Sequence, residues 1–299
     1  MGERDMGVLP TKILLATDAS EDAALAARAS LDIARGAGSE LHVVHVWRTL
    51  PSSRFEAYIR RELAREAARL LDEQVEKVES AGGTVSGRHL REGPKADEIL
   101  STAAEIGADL IVIGTRGQGA VGRLLLGSVA EGVVYHARCP VLAVRGGEAG
   151  WPPARVIVGD DGSEDARAAA RLALSIGKLF GAGALVVRAY PKQPEMDDES
   201  AAAGASAAAE EQGRDEGALD ELIADLEEET GVRPEVSTSF GNPAESVLAA
   251  AEDGGERSLV AIGHRGLGTL GRMRLGSVST KVLRVARGPV LVHPHVQGP

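Results

Sequence analysis

The sequence predicts an α/β protein made of two tandem open parallel sheets, each covered by helices on both faces. Three observations carry this prediction: apolar runs without in/out alternation, helical periodicity between them, and a second half of the chain that repeats the first. A strand buried on one face only would alternate apolar and polar residues, so unbroken apolar runs point to strands covered from both sides.

In chain order, Ile13-Leu14-Leu15-Ala16-Thr17 is the first strand, with Asp18 at its carboxyl end, and Ser20 suits the cap of the helix that follows. Val43-Val44 belongs to a second strand. Phe55, Ile59, Leu63, Ala67, Leu70, Leu71, Val75 and Val78 then fall on one helical face, which Gly82-Gly83 ends. Ile111-Val112-Ile113 forms a further strand. Gly127-Ser128 stands where a last helix begins, running through Val129, Val133, Val134 and Ala137, and Val141-Leu142-Ala143-Val144 is the closing strand.

The second half repeats this plan. Residues 12–41 align with 155–185, "GPKADEIL" from Gly93 with "GNPAESVL" from Gly241, and residues 122–144 with 271–293. The offset grows from 143 at Asp18/Asp161 to 149 at Gly114/Gly263, so an insertion lies inside the second copy. It is the alanine-rich acidic segment 196–217, which offers little large apolar surface against its ordering entropy and reads as a mobile loop or frayed helix. "RGGEAGWPP", residues 145–153, punctuates the boundary, giving domains over 1–148 and 152–299.

Composition narrows the function. At 299 residues and 43% hydrophobic content the chain can build two cores, and no stretch reaches the ~20 apolar residues of a membrane span. No apolar block follows "MGERDM", so a cytoplasmic location is expected. The net charge of −11 opposes non-specific binding to nucleic acid or anionic membrane. The single cysteine, Cys139, excludes a disulfide framework and reads as a buried structural thiol. His42 and His45, three apart on a strand, point to opposite faces and make no metal pair. His293 and His295 read as tail residues.

Two glycine-rich stretches carry the chemistry: "GTRGQGAVGRLLLGS" (114–128) and "GHRGLGTLGRMRLGS" (263–277), each directly behind an apolar strand. In open parallel sheets ligands bind beyond the carboxyl ends of the strands, where strand order reverses. Gly114 ends a strand and Gly117 lies in the turn after it. Gly127-Ser128 then opens a helix whose unpaired N–H groups and positive dipole end favour phosphate. Three or four charge-assisted hydrogen bonds at ~1.5–3 kcal/mol each give roughly 5–12 kcal/mol before association losses, against about 8 for micromolar affinity. Backbone amides with Arg116 or Arg123 would therefore hold a polyphosphate without a Walker lysine. Gly263, Arg265, Gly266, Gly276 and Ser277 repeat the arrangement. Asp18 and Asp161 offer carboxylates to a base amine or ribose hydroxyl, since Ser20 and Ser163 already suit helix capping. His264 replaces Thr115; it could approach a phosphate, but a solvated loop histidine is the favoured reading.

These residues resemble the universal stress protein family, here in tandem, through the G-x2-G-x9-G-[ST] spacing with its upstream aspartate. The resemblance implies Rossmann-like three-layer domains and an ATP site, with magnesium. Its residues would be Ala16, Thr17, Asp18, Val46 (adenine, through its backbone), Gly114, Arg116, Gly117, Gly127, Ser128, Val129 and Ala130. The second copy would use Gly159, Asp160, Asp161, Ala189, Gly263, Arg265, Gly266, Gly276, Ser277, Val278 and Ser279. Family members often carry a hydroxyl two residues after the Gly-Ser pair; Ser279 keeps it and Ala130 does not. Asp160 stands where the first copy has Thr17, adding negative charge near the second pocket. The resemblance also implies pairing through the last strands (139–144 and 288–292), as an internal pseudo-dimer, with a homodimer also open. The expected role is a nucleotide-binding regulatory module with a protein partner. A slow ATPase or nucleotide-dependent transferase, and a scaffold with empty pockets, are the alternatives.

Overall fold

The computed structural model describes residues 9–48, 56–116, 126–145, 150–190, 217–255, 257–264 and 275–295. The first copy runs β1 (Lys12–Ala16), α1 (Glu21–Ala37), β2 (Glu40–Trp47), α2 (Glu56–Ser80), β3 (Gly87–Glu92), α3 (Lys95–Ile106), β4 (Leu110–Gly114), α4 (Ser128–His136) and β5 (Val141–Val144). The second runs β6 (Arg155–Asp160), α5 (Glu164–Leu179), β7 (Gly183–Tyr190), a helix α6 over residues 217–230, β8 (Glu235–Phe240), α7 (Pro243–Asp253), β9 (Ser258–Gly263), α8 (Ser277–Val285) and β10 (Val290–His293). The predicted insertion 196–217 lies outside the described residues except for residue 217, which begins α6.

All ten strands join one sheet, in the order β3-β2-β1-β4-β5-β10-β9-β6-β7-β8. Every pairing is parallel except β5 with β10, where Val290 faces Ala143 and Val292 faces Val141 in antiparallel register. The last strands of the two copies thus fuse two parallel sheets into one. Within each copy the order reverses beside the first strand, between β1 and β4 and between β6 and β9.

The lack of alternation in the strands follows from burial on both faces. Ile13 and Leu15 enter the core layer under α1, α2, α5 and α6, whereas Leu14 and Ala16 enter the layer under α3, α4, α7 and α8. Ser20 and Ser163 accept from the N–H of Ala23 and Ala166, capping α1 and α5, and Gly38 closes α1 in the left-handed region at φ 73°. On α2 the predicted face is buried at Ala67, Leu71, Val75 and Val78, but Ile59 and Leu63 are exposed. A 25-residue helix is about 37 Å long and the eight residues of β2 about 26 Å, so the first turns of α2 overhang the sheet.

The boundary segment is more than punctuation. Trp151 is buried, packs edge-on against Phe180 and donates its Nε1–H to Asp32 Oδ2 at 3.1 Å, tying the linker to α1 and α5. Arg145 reaches from the first copy to the end of α8 and donates to the carbonyls of Leu283 and Ala286. Burial pushes its guanidinium down to about 10, while Asp22 favours the charged form. Such carbonyls are the negative end of a helix, where a cation fits. Glu131 and Arg284 pair across the same seam at 2.7 Å. Cys139 is half-buried and its thiol is pushed up to about 11 by desolvation, so it is protonated at neutral pH and unreactive.

Arg145→Leu would strand carbonyls of α8 without a donor. Urea unfolding of this variant is expected to show a loss of about 2–3 kcal/mol, the cost of buried groups left unpaired.

Candidate functional site

Where the strand order reverses in the first copy, the carboxyl ends of β1, β2 and β4 frame a crevice of about 640 Å³. β1 contributes Ala16, with Thr17 and Asp18 just beyond it; β2 contributes Val46 and Trp47, followed by Arg48; Gly114 and Arg116 come from the end of β4. The opposite wall is the start of α4, Gly127 to Ala130, and Leu70, Lys95 and Ile99 add to the lining from α2 and α3. Gly117 and Arg123 lie outside the described residues.

The start of α4 is held by its backbone. Gly127 is the N-cap and supplies no side-chain hydrogen bond, and its own N–H donates to Thr115 O at 2.7 Å. A Cβ at Gly127 would stand 2.9 Å from that carbonyl, so glycine is what allows α4 to begin against the end of β4. The first-turn N–H groups of 128–130 have no intrahelical acceptor.

Gly114 has a different reason to be glycine. A Cβ there would lie 2.7 Å from the Asp22 carbonyl carbon and 2.8 Å from Ala23 N, inside the first turn of α1. This glycine lets helix and strand pack.

Asp22, which the sequence reading missed, organises the turn. Its buried carboxylate accepts from Thr115 Oγ1 (2.9 Å), Arg116 N (3.1 Å), Arg116 Nε (2.9 Å) and Arg116 Nη2 (2.7 Å). The hydrogen bond to Asp22 raises the guanidinium pKa. Arg116, expected to face a phosphate, is therefore committed to a fork-to-fork pair, although its side chain remains 31% exposed. The only signal in sequence was an acidic residue in a first helical turn, which ordinarily reads as a partner of the helix dipole. Ser20 adds to the same knot by donating to Arg116 O at 3.0 Å, and Asp18 Oδ1 accepts from Ser20 N–H at 3.1 Å. His45, also buried in the lining, donates from Nδ1 to Thr17 O at 2.9 Å.

The second copy builds a crevice of about 310 Å³ from Gly159, Asp160 and Asp161 of the β6 end, Ala189 of β7, Gly263 of β9, Pro243 and Val247 of α7, and Gly276 to Ser279 at the start of α8. Arg265 and Gly266 lie outside the described residues. Again the helix starts at a glycine with no side-chain cap, and Gly276 N–H donates to His264 O at 2.8 Å. A Cβ at Gly263 would stand 2.8 Å from Ala166 N, reproducing the packing of Gly114.

Three expectations change here. Asp160 does not add net charge to the crevice, because Arg188 pairs with it; both side chains are buried, and Arg188 Nε donates to Oδ2 at 2.7 Å. Arg188 stands where the first copy has His45, so the Asp160–Arg188 pair replaces the Thr17–His45 contact. Ser279 donates its hydroxyl proton to Gly263 O at 2.7 Å, which leaves only its oxygen facing other partners. His264 is 6% exposed rather than solvated. The equivalent of Asp22 is Asp165, whose two carboxylate oxygens each lie 3.2 Å from His295 Nδ1, bringing a tail residue onto the second site.

A sequence model of the Universal stress protein family matches residues 10–145 and 154–294. The chain belongs to the universal stress protein family. It is 41% identical over 133 residues to a universal stress protein of Thermus aquaticus, covering 44% of this chain and 97% of that protein. A universal stress protein of Mycolicibacterium smegmatis is 29% identical over 247 residues, 77% of this chain and 78% of that one. The crystal structure of a universal stress protein from Archaeoglobus fulgidus superposes with a TM-score of 0.66 at 25% identity, over 95% of this chain and 98% of that one. The fold is the Rossmann-like α/β fold of this family, and no helix among the described residues is long and apolar enough to cross a membrane.

Asp22→Ala would release Arg116 and leave the buried Thr115 hydroxyl and Arg116 N–H without their acceptor. Equilibrium urea unfolding is expected to register a loss of about 2–3 kcal/mol, with α1 otherwise intact by circular dichroism.

Proposed function

We propose that each copy, over residues 1–148 and 152–299, is a nucleotide-binding domain holding ATP with magnesium, and that occupancy makes the chain a regulatory module in the response to stress. The observation that carries this reading is a difference among helix starts. Side chains cap α1, α5 and α7, while α4 and α8, whose first residues line the two crevices at equivalent places, begin at glycine with none; α3, which borders the first crevice through Lys95, also lacks a side-chain cap. Uncapped first-turn N–H groups at a positive dipole end suit a phosphate tail. In this reading the N–H groups of 128–130 and the Ser128 hydroxyl take the tail, Asp18 takes a ribose hydroxyl, and the backbone at Val46 meets the adenine. Residues 277–279, Asp161 and Ala189 do the same in the second copy.

Among the described residues no group of three or more His, Cys, Asp or Glu is placed to hold a metal ion, so magnesium would enter with the phosphates. The glycine-rich stretches carry no carboxylate and no lysine. Retention of nucleotide, read out by a protein partner that senses the filled crevice, fits this better than phosphoryl transfer, which needs a positioned base and metal clamp.

Ser128 and Ser277 are exposed first residues of their helices, so aspartate there favours the dipole while repelling an incoming phosphate. In titration calorimetry with magnesium and ATP, the wild-type chain should bind two nucleotides. Ser128→Asp and Ser277→Asp should each remove one without lowering the melting temperature. Undiminished binding in the double variant, or no heat with the wild type, would refute the assignment.

A further inference from the structure

The two crevices are not equivalent, and the difference is concentrated at the end away from α4 and α8. In the first, Arg48 follows the end of β2 and Lys95 begins α3; both border the cavity, both are exposed, and neither forms a salt bridge with another of the described residues. Pro94 provides no side-chain cap for α3. In the second copy the position of Lys95 is Pro243 and that of Arg48 is residue 191, also proline in the sequence. Asn242 accepts from the N–H groups of Ala244 and Glu245, so the start of α7 is satisfied internally. The second cavity is also half the size, about 310 against 640 Å³.

The first crevice thus has two places for negative charge, on either side of β1, which Asp18 follows. β2 and β4 flank β1, so the chain ends carrying Arg48 and the α4 start stand two strand spacings apart, about 10 Å. Lysine and arginine side chains shorten that span, to one that a compact ligand with two phosphates can bridge. A single 5′-phosphate tail seated on α4 would leave both cations without a partner among the described residues.

We infer that the first crevice selects an adenine nucleotide carrying a second phosphate on its ribose, which Lys95 and Arg48 contact, while the second crevice takes a nucleotide with only the 5′ tail. This rests on the nucleotide reading above and names the ligand class that separates its two sites.

Isomeric probes test it. ADP and the adenosine 2′,5′- and 3′,5′-bisphosphates have the same atoms and similar charge, differing in where the second phosphate sits. Calorimetry on the full chain, stripped of nucleotide, should show one site per chain that prefers one bisphosphate over ADP by about tenfold, the worth of one charge-assisted hydrogen bond. Which isomer wins identifies the ribose position. Lys95→Gln should bring that preference close to unity, and Arg48→Gln should reduce it. If ADP binds and neither bisphosphate is preferred, or if the preference survives Lys95→Gln, the second-phosphate site is wrong while the nucleotide reading stands. If none of the three binds while ATP with magnesium does, the second-phosphate site is wrong and the nucleotide reading stands; if ATP fails as well, both fail.

Discussion

A helix that begins at glycine leaves the N–H groups of its first turn without an acceptor of its own, and both α4 and α8 begin this way at the carboxyl end of a parallel strand. Much of the local architecture follows from that choice. The Gly127 and Gly276 amides anchor to the carbonyls of Thr115 and His264, so each helix points its positive end along the strand exit. Gly114 and Gly263 let the first turns of α1 and α5 close on the same strands. Asp22 then ties the residues after β4 to α1 through four hydrogen bonds. The residues that carry the remaining donors, 128–130 and 277–279, line the crevices.

Duplication preserved this frame and changed its fittings. Where the first copy sets His45 against the Thr17 carbonyl, the second sets Arg188 against the Asp160 carboxylate, a buried ion pair at the same place. The partner seen for Asp22 is Arg116, and that seen for Asp165 is His295 from the end of the chain. Where α3 starts with Lys95, α7 starts with Pro243. Each exchange preserves packing while altering what a ligand would meet. The antiparallel junction of β5 and β10, sealed by Arg145 on the end of α8, makes the two halves one sheet.

What the sequence disclosed was whatever depends on local pattern. Unbroken apolar strands, the growing offset, and Gly127-Ser128 at a helix start are properties of short windows, and Ser20 and Ser163 announce helix caps by type. Long-range partners were hidden. Arg116 reads as a phosphate ligand until Asp22, 94 residues earlier, is found against it. Asp160 reads as added charge until Arg188 is placed on the neighbouring strand. Gly114 reads only as the end of a strand, and the need for a glycine there appears once the first turn of α1 is packed against it. Trp151 looked like part of a linker because its burial depends on α1 and α5 meeting across the boundary. Gly117, Arg123, Arg265 and Gly266 lie outside the described residues.

The central claim concerns a small set of backbone amides, and nuclear magnetic resonance observes them individually. In amide spectra of the nucleotide-free chain, addition of magnesium and ATP is predicted to move the signals of residues 128–130 and 277–279 most strongly. Signals that stay fixed at those six amides under saturating ATP would contradict the account.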